Sequence, residues 1–275
     1  MSDSGATNWI DVGDLEEGMN EYKPPATGEL AGKELKLHFD AGKGVIKYIF
    51  HDANSLTWEV LDGSDKGQSS DETYEAIRAA PNIFFVDFVK KNPPNVSVSM
   101  ALDLNTRKAT VIIATAPDRK SASRSFVDRL GKGLDLSTMK VEFLHANVNP
   151  SHPDEPVIPH ERTTDLIRKR NKYTYSSKHV YEHIYLNDRF YTWHCLKGPE
   201  KGLADTDICD YFKIAPEVYL FTWREKIIPS VGVVLINLKE MRSNGKLFGL
   251  DLASGNIVNF TMGSRAELIN ETYYS

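Results

Sequence analysis

A carboxyl group and two phenols in the second half of the chain are the residues best suited to chemistry. Tyr173 and Tyr175 lie two residues apart in the run KYTY, and Glu225 ends the run VYLFTWRE. Side chains two residues apart on a strand share a face at about 6.6 Å, so the tyrosines point together, and Glu225 points with Trp223 and Phe221. Enclosed among rings, this carboxyl would have the raised pKa of a general acid or base. The phenols would hydrogen-bond an oxygen anion.

The chain contains an internal repeat with an offset of 135 residues. The segment LTWEVLDGSDKG (56–67) aligns with YTWHCLKGPEKG (191–202), and the gap-free alignment from Ile49/Ile184 to Val98/Val233 has 13 identities in 50 positions. Chance would give about 3. At this offset Glu225 aligns with Lys90, so at most one copy can use the carboxyl chemistry, and the second copy is favoured. The first copy would then be a structural or dimer-forming unit.

Each catalytic candidate has a structural alternative. Glu225 also fits a solvated position after a strand end, and the tyrosines fit ordinary aromatic packing. The residues expected to bind substrate beside them are Trp223, Tyr181, Phe221, Trp193 and Lys201. Trp193 equally fits a core position shared with its counterpart Trp58.

Other polar residues are weaker candidates. His179 and His183 would lie about 13 Å apart on a strand, too far to share a metal ion, and we expect no metal site. Asp205 and Asp207 indicate a turn in GLADTD. The reverse assignment, with the active lumen in the first copy, would use His38, Tyr48, Glu59 and Asp87.

The spacing of apolar residues predicts a mainly β protein. Short runs rich in Val, Ile, Phe and Tyr alternate with polar residues and are separated by Gly, Asn, Asp and Pro, which is typical of antiparallel strands in a small barrel. Helix is expected only over Ser121–Leu130 and Glu72–Ala79. The predicted organisation is an N-terminal arm (1–27) whose Trp9 and Tyr22 could plug a pocket, a first barrel (28–148), a Pro-rich linker (149–164) and a second barrel (165–275).

Composition limits the classes of partner and compartment. The net charge is −5 and the pI about 5.9, which argues against a nucleic-acid partner. No apolar run reaches the roughly 18 residues of a membrane helix, and no export signal is evident, so a cytoplasmic protein is expected. No Gly-rich phosphate loop is present, so no cofactor is expected. A small-molecule substrate remains, and homodimerisation stays open.

Two longer patterns resemble known families. The stretch YTYSSKHVYEHIYLNDRFYTWHCLKGPEKGLADTD, followed by YLFTWREKIIPSVGVVLINL, closely resembles the MoaF family, and LTWEVLDG and FFVDFVK resemble that family's N-terminal domain. This resemblance implies two tandem lipocalin-like antiparallel β-barrels that arose by internal duplication. The family name points to molybdenum-cofactor synthesis, but nothing here resembles a pterin or nucleotide site.

The second copy is also similar, more distantly, to bacterial phenolic acid decarboxylases, which are cofactor-free lipocalin-like barrels. The corresponding residues are Tyr173 and Tyr175, Tyr181-Glu182, Asn187-Asp188 and Trp223-Arg224-Glu225. In that family the two tyrosines, the glutamate and an arginine line the site. The arginine has no counterpart here, since Lys201 or Gly202 falls near its place.

The resulting hypothesis is cofactor-independent acid/base chemistry on an aromatic or polyketide-like compound of secondary metabolism. A lyase such as a decarboxylase, or an isomerase or cyclase, would use Glu225 to move the proton and Tyr173 and Tyr175 to stabilise an oxyanion. The competing hypothesis is a non-catalytic carrier or sensor of a hydrophobic metabolite. The carrier would need an apolar lumen, whereas the enzyme needs a buried Glu225 with a raised pKa.

Overall fold

Two antiparallel β-barrels make up most of the chain in the computed structural model, which describes residues 10–273. The nine strands of the first barrel follow the order β4-β3-β2-β1-β9-β8-β7-β6-β5. They are β1 (Glu34–Phe39), β2 (Val45–Phe50), β3 (Ser55–Asp62), β4 (Ser69–Thr73), β5 (Glu75–Ala80), β6 (Ile83–Val89), β7 (Val96–Asp103), β8 (Lys108–Thr115) and β9 (Lys140–Val148). Only Tyr74 separates β4 from β5, so the two edges of the sheet come together and the barrel is nearly closed.

The second barrel repeats this arrangement in the order β10-β14-β13-β12-β11-β18-β17-β16-β15. Its strands are β10 (Glu161–Arg162), β11 (Lys169–Thr174), β12 (Val180–Tyr185), β13 (Phe190–Lys197), β14 (Ala204–Ala215), β15 (Val218–Arg224), β16 (Ser230–Asn237), β17 (Arg242–Leu250) and β18 (Ile257–Glu271). Strand β14 pairs with β13 along its first half and with β15 along its second half, which closes the barrel. It corresponds to β4 and β5 joined into one strand.

The 135-residue repeat is also visible in the backbone. A register shift between Val45 and Ile46 recurs between Val180 and Tyr181. The tight turn of GSDKG has positive φ at Gly63 and Gly67, and its counterpart GPEKG has positive φ at Gly198 and Gly202. Glycine adopts this conformation at little steric cost, which explains why these identities fall on the turn.

Among residues 10–273, α-helix is limited to two short segments between β8 and β9, and 3₁₀ turns occur at Val12–Leu15 in the arm and at Asp40–Gly42 after β1. Helix α1 (Arg119–Ala122) is capped by Asp118, and α2 (Phe126–Gly131) is capped by Ser125. The expected single helix over 121–130 is therefore interrupted where Ser125 begins a new one. The helix expected over Glu72–Ala79 is wrong, because this segment alternates between buried and exposed residues and forms β4 and β5. No helix in the range 10–273 is long and apolar enough to cross a bilayer.

Each barrel has its own apolar interior, and a third apolar cluster lies between the barrels. The interior of the second barrel is dominated by tyrosine and tryptophan. The cluster between the barrels includes Phe85 of β6 and Leu220 of β15. A polar contact crosses the same interface, where the buried Lys246 Nζ lies 2.6 Å from Asp87 Oδ1 and Asn259 Nδ2 donates to Asp87 Oδ2 at 2.8 Å.

The described part of the arm, residues 10–27, lies across the second barrel. Val12, Leu15 and Met19 are buried with the interior of that barrel. Backbone hydrogen bonds hold the arm, from Gly263 N to Met19 O and from Tyr22 N to Tyr175 O. The Tyr22 ring packs under the Arg265 guanidinium at 4.4 Å and does not line the lumen cavity, while Trp9 lies outside the described residues.

Candidate active site in the second barrel

A small cavity lies in the lumen of the second barrel beneath the arm. Its walls come from the barrel at Tyr175, Tyr181, His183, Tyr191, Trp193, Glu200, Trp223, Glu225, Leu247 and Met262, and from the arm at Leu15 and Met19. The cavity measures about 40 Å³, which is room for only a few water molecules. A larger molecule therefore requires Leu15 and Met19 to move out of the lumen.

Glu225 lies just beyond the end of β15 and lines this cavity. Its Oε1 accepts a hydrogen bond of 3.3 Å from Trp223 Nε1, so the two residues expected to share a face do so. The pKa of the carboxyl is raised well above its usual value, mainly by burial and then by repulsion from Asp207 and Glu200. A raised pKa brings this carboxyl closer to the range in which it can donate a proton to a substrate.

A second carboxyl group lines the cavity from the turn between β13 and β14. Glu200 is 4% exposed, and its Oε2 accepts a 3.0 Å hydrogen bond from the Tyr181 hydroxyl. Burial raises the pKa of Glu200. Glu200 was not among the residues predicted from the sequence, because it lies in the turn GPEKG, where the alternation of a strand gives no information.

Two buried polar atoms in the cavity wall lack a hydrogen-bond partner among residues 10–273, the Tyr191 hydroxyl and His183 Nδ1. Burial lowers the pKa of His183 to about 3, so the imidazole is neutral. Its ring contacts those of Tyr191, Trp223 and Tyr173, at 5.1, 5.8 and 4.7 Å respectively. Buried polar groups are normally paired, so unpaired atoms at a cavity are suited to meet a ligand.

The two tyrosines predicted as catalytic occupy different depths. Tyr175 lines the cavity, and burial raises its pKa. Tyr173 is absent from the cavity wall, because its hydroxyl is hydrogen-bonded to Tyr185 at 2.6 Å and to Asn171 at 3.1 Å. Burial raises the pKa of Tyr173 to about 12. Tyr191, rather than Tyr173, therefore lines the cavity together with Tyr175.

The predicted substrate-binding residues are only partly brought together. Tyr181, Trp193 and Trp223 line the cavity. Phe221 is fully buried behind them, with its ring stacked on Trp223 at 5.5 Å. Lys201 has an exposed side chain in the turn after β13 and does not line the cavity, because the turn points it into solvent.

Trp193 is part of a hydrogen-bonded bridge that occurs in both barrels. Its Nε1 donates to Asp207 Oδ2 at 2.9 Å, and Lys226 N donates to Asp207 Oδ1 at 3.0 Å. At the 135-residue offset, Trp58 Nε1 donates to Glu72 Oε1 at 3.2 Å and Lys91 N donates to Glu72 Oε2 at 3.0 Å. Because this bridge is present in both barrels although their lumens otherwise differ, we infer that it stabilises the fold.

Asp207 is therefore a structural carboxyl, and it lies within strand β14 rather than in the expected turn. It is 1% exposed. Its pKa is raised to about 7, chiefly by burial and then by repulsion from Asp205. Asp205 Oδ1 in turn accepts a hydrogen bond of 2.6 Å from Lys226 Nζ.

A pH dependence of stability follows from Asp207. Because its pKa is higher in the folded chain than the usual value near 4, the folded state binds more protons between about pH 4 and pH 7. The free energy of unfolding should fall as the pH rises through this window, by at most about 1.4 kcal/mol per pH unit. Urea unfolding of the wild type and Asp207→Asn across this range measures it. Equal slopes in the two proteins would contradict the assignment.

The indole of Trp223 has its position because residue 232 has no side chain. Trp223 pairs with Gly232 across β15 and β16, and a Cβ at Gly232 would overlap the indole atoms Cζ2 and Cη2. We expect Gly232→Ala to cost about 1–3 kcal/mol of stability by overpacking and to displace the group that holds Glu225. Thermal unfolding measures the cost. Gly131→Ala is the control, since a Cβ there meets no atom within 4 Å, and equal melting temperatures for the two variants would contradict the explanation.

The first barrel does not assemble the alternative set of lumen residues. Tyr48 lines its cavity, but Asp87 points outward to Lys246. Glu59 also points outward, to Lys47 on the neighbouring strand, because it adjoins the inward-facing Trp58. His38 is half-buried and does not line the cavity. Among residues 10–273, no group of three or more His, Cys, Asp or Glu side chains is arranged to hold a metal ion.

Comparisons with known proteins identify the family. The model of the MoaF N-terminal domain matches residues 7–118, and the model of the MoaF C-terminal domain matches residues 160–272. Protein MoaF of Klebsiella aerogenes is 38% identical over 269 residues, which is 96% of each chain. The chain is also similar to a crystal structure provisionally described as a beta-lactamase from Burkholderia vietnamiensis, with 13% sequence identity and a TM-score of 0.32. This match covers 46% of the present chain and 97% of the other. By its two domains and its curated relative, the chain belongs to the MoaF family.

Proposed function

We propose that the second barrel catalyses cofactor-independent acid/base chemistry on a small, planar, largely apolar compound. The substrate class is aromatic or polyketide-like, and the reaction is of the lyase (decarboxylase) or isomerase/cyclase type. The observation that supports the proposal is Glu225, whose pKa is raised, in a cavity wall that also carries the unpartnered Tyr191 hydroxyl. A carboxylic acid and an unpaired phenol in one site can respectively donate a proton and stabilise an oxyanion.

The roles follow from the protonation states. Glu225 donates its proton to the substrate and is reprotonated by the substrate in an isomerisation or by solvent in a decarboxylation, while Trp223 Nε1–H keeps the carboxyl in place at 3.3 Å. The hydroxyls of Tyr191 and Tyr175 donate hydrogen bonds to the oxygen where negative charge develops.

The arm controls access to this site. Leu15 and Met19 fill the space that a substrate ring would need, so binding requires the arm to withdraw. Closure over a bound substrate would exclude water from the acid and strengthen its electrostatic effects.

Solvent deuterium exchange tests the proposal whatever the final product is. The full-length protein is incubated in D₂O with a panel of hydroxycinnamic acids and enolisable aryl ketones, and NMR follows deuterium at carbon and any loss of carboxylate. Enzyme-dependent incorporation into at least one compound is the expected result. Saturable binding of these compounds without any proton exchange would instead favour the second candidate function, a carrier or sensor, which the mostly aromatic and aliphatic cavity wall also suits.

A cytoplasmic location is part of the proposal. Cys195 and Cys209 are both free and buried, which fits a reducing compartment. Fractionation of cells that produce the full chain tests this location.

A further inference from the structure

The first barrel has a lumen cavity of its own, and we propose that it binds a small aromatic carboxylate whose ring fills the lumen and whose carboxylate pairs with Lys90. This site is separate from the carboxyl site of the second barrel. The proposal does not depend on catalysis there.

The size of the cavity sets the size of the ligand. It measures about 170 Å³, and an apolar cavity of about 150 Å³ is known to bind benzene. Rings and branched aliphatic side chains form most of the wall, among them Trp58, Phe88, Tyr48 and Val98. One benzene-sized ring with a short substituent therefore matches the space.

The charge in the cavity sets the chemistry of the ligand. Lys90 is half-buried in the wall, and its Nζ lies 4.7 Å from the centre of the Trp58 ring. Within residues 10–273 no carboxylate forms an ion pair with this ammonium group. The acidic residue of the wall, Asp65, is exposed at the rim and accepts a hydrogen bond from Gln68. The cavity wall thus offers, just beyond the end of β6, one cation without a carboxylate partner among the described residues.

The repeat shows that the charge at the position of Lys90 is opposite in the two barrels. Lys90 corresponds to Glu225, and Phe88 corresponds to Trp223, at the 135-residue offset. Both pairs line their respective lumens. Ile46 likewise replaces Tyr181. The same strand position therefore presents an acid in one barrel and a cation in the other, and the apolar residues around Lys90 favour an anion with an apolar body.

The cavity is also open to entry from solvent. The exposed residues Asp65 and Gln68 belong to its wall, so it reaches the surface through the turn between β3 and β4. The arm residues that close the second lumen, Leu15 and Met19, do not line this cavity.

Calorimetric titration of the full-length protein with benzoate and with benzyl alcohol, its uncharged analogue, tests the site. We expect saturable benzoate binding and about tenfold weaker binding of benzyl alcohol, the factor typical of a charge-assisted contact. Lys90→Met keeps the apolar stem and should weaken benzoate binding about tenfold while leaving benzyl alcohol binding unchanged. Val98→Phe fills the lumen and should abolish binding of both.

Lys120→Met, the same change at an exposed lysine of α1 that does not line the cavity, is the matched control and should leave benzoate binding unchanged. Thermal unfolding verifies that each variant is folded. The proposal is overturned by absence of saturable benzoate binding at millimolar concentrations, by benzoate binding that survives Lys90→Met at full strength, or by its loss in Lys120→Met. None of these outcomes bears on proton exchange in the second barrel, so the two proposals fail separately.

Discussion

Glu225→Gln is expected to reduce the deuterium exchange catalysed by the second barrel by a factor of about 10²–10⁴. Glutamine has nearly the same shape and can still accept the hydrogen bond that Trp223 Nε1 gives to Oε1, but it cannot deliver a proton. Because Glu225 is half-buried and its pKa is raised by burial and by neighbouring carboxyls, a neutral amide suits this position, so stability should be unchanged or slightly higher. The initial rate of deuterium incorporation and the melting temperature measure both effects.

Two further variants give this experiment its specificity. Tyr191→Phe removes the unpartnered hydroxyl from the cavity wall and should lower the rate without unfolding the barrel. Glu267→Gln, on the outer face of β18 beside Lys172, is the matched control and should retain the wild-type rate. An undiminished rate in Glu225→Gln would discard Glu225 as the proton donor.

Lys246→Met is expected to destabilise the protein by about 3–5 kcal/mol, since it leaves a buried carboxylate without its cation. Lys246 is 0% exposed and Asp87, its partner on the other barrel, is 3% exposed. Lys246 Nζ also donates to Ser97 Oγ at 2.6 Å, so the substitution breaks two contacts across one interface. Urea unfolding measures the change in free energy.

The double variant Lys246→Met/Asp87→Asn separates loss of the pair from the cost of an unpaired charge. The amide oxygen introduced by Asp87→Asn would still accept from Ser99, as the carboxylate of Asp87 does at 2.8 Å. Because no buried charge remains, the double variant should recover much of the stability lost in Lys246→Met. A double variant less stable than Lys246→Met would contradict this explanation. It would show that the stability is lost with the ion pair itself and not through the unpaired buried carboxylate.

Much of the fold could be predicted because β-strand alternation and the repeat are local or linear features of a sequence. The 135-residue offset places Trp58 and Trp193 in equivalent positions, and both hold their bridging carboxyl. The helix prediction for Glu72–Ala79 fails because eight residues give too short a window to separate the two periods. Its pairing partners, β3 and β6, lie on either side in the sequence and decide the conformation.

The site was only partly predictable, since the alternation of residues gives the face of a strand but not the depth in a barrel. It correctly groups Tyr175 with Tyr173, yet only the structure shows that Tyr173 is hydrogen-bonded to Tyr185 below the cavity. His183 shares the face of Tyr181, so its inward direction could have been found from the same rule. Glu200 could not, because it enters the lumen from a turn.

The apolar cluster between the barrels uses equivalent positions of the two copies. Ile83 and Phe85 of the first correspond to Val218 and Leu220 of the second, and all four belong to that cluster. Such an isologous contact has the form of a C2 dimer in which a covalent tether joins the protomers. Either barrel produced without the other would expose this apolar surface to solvent, which promotes self-association. Because this contact lies outside both cavities, the two lumens can differ without disturbing it, and Glu225 and Lys90 accordingly present opposite charges at one position of the repeat.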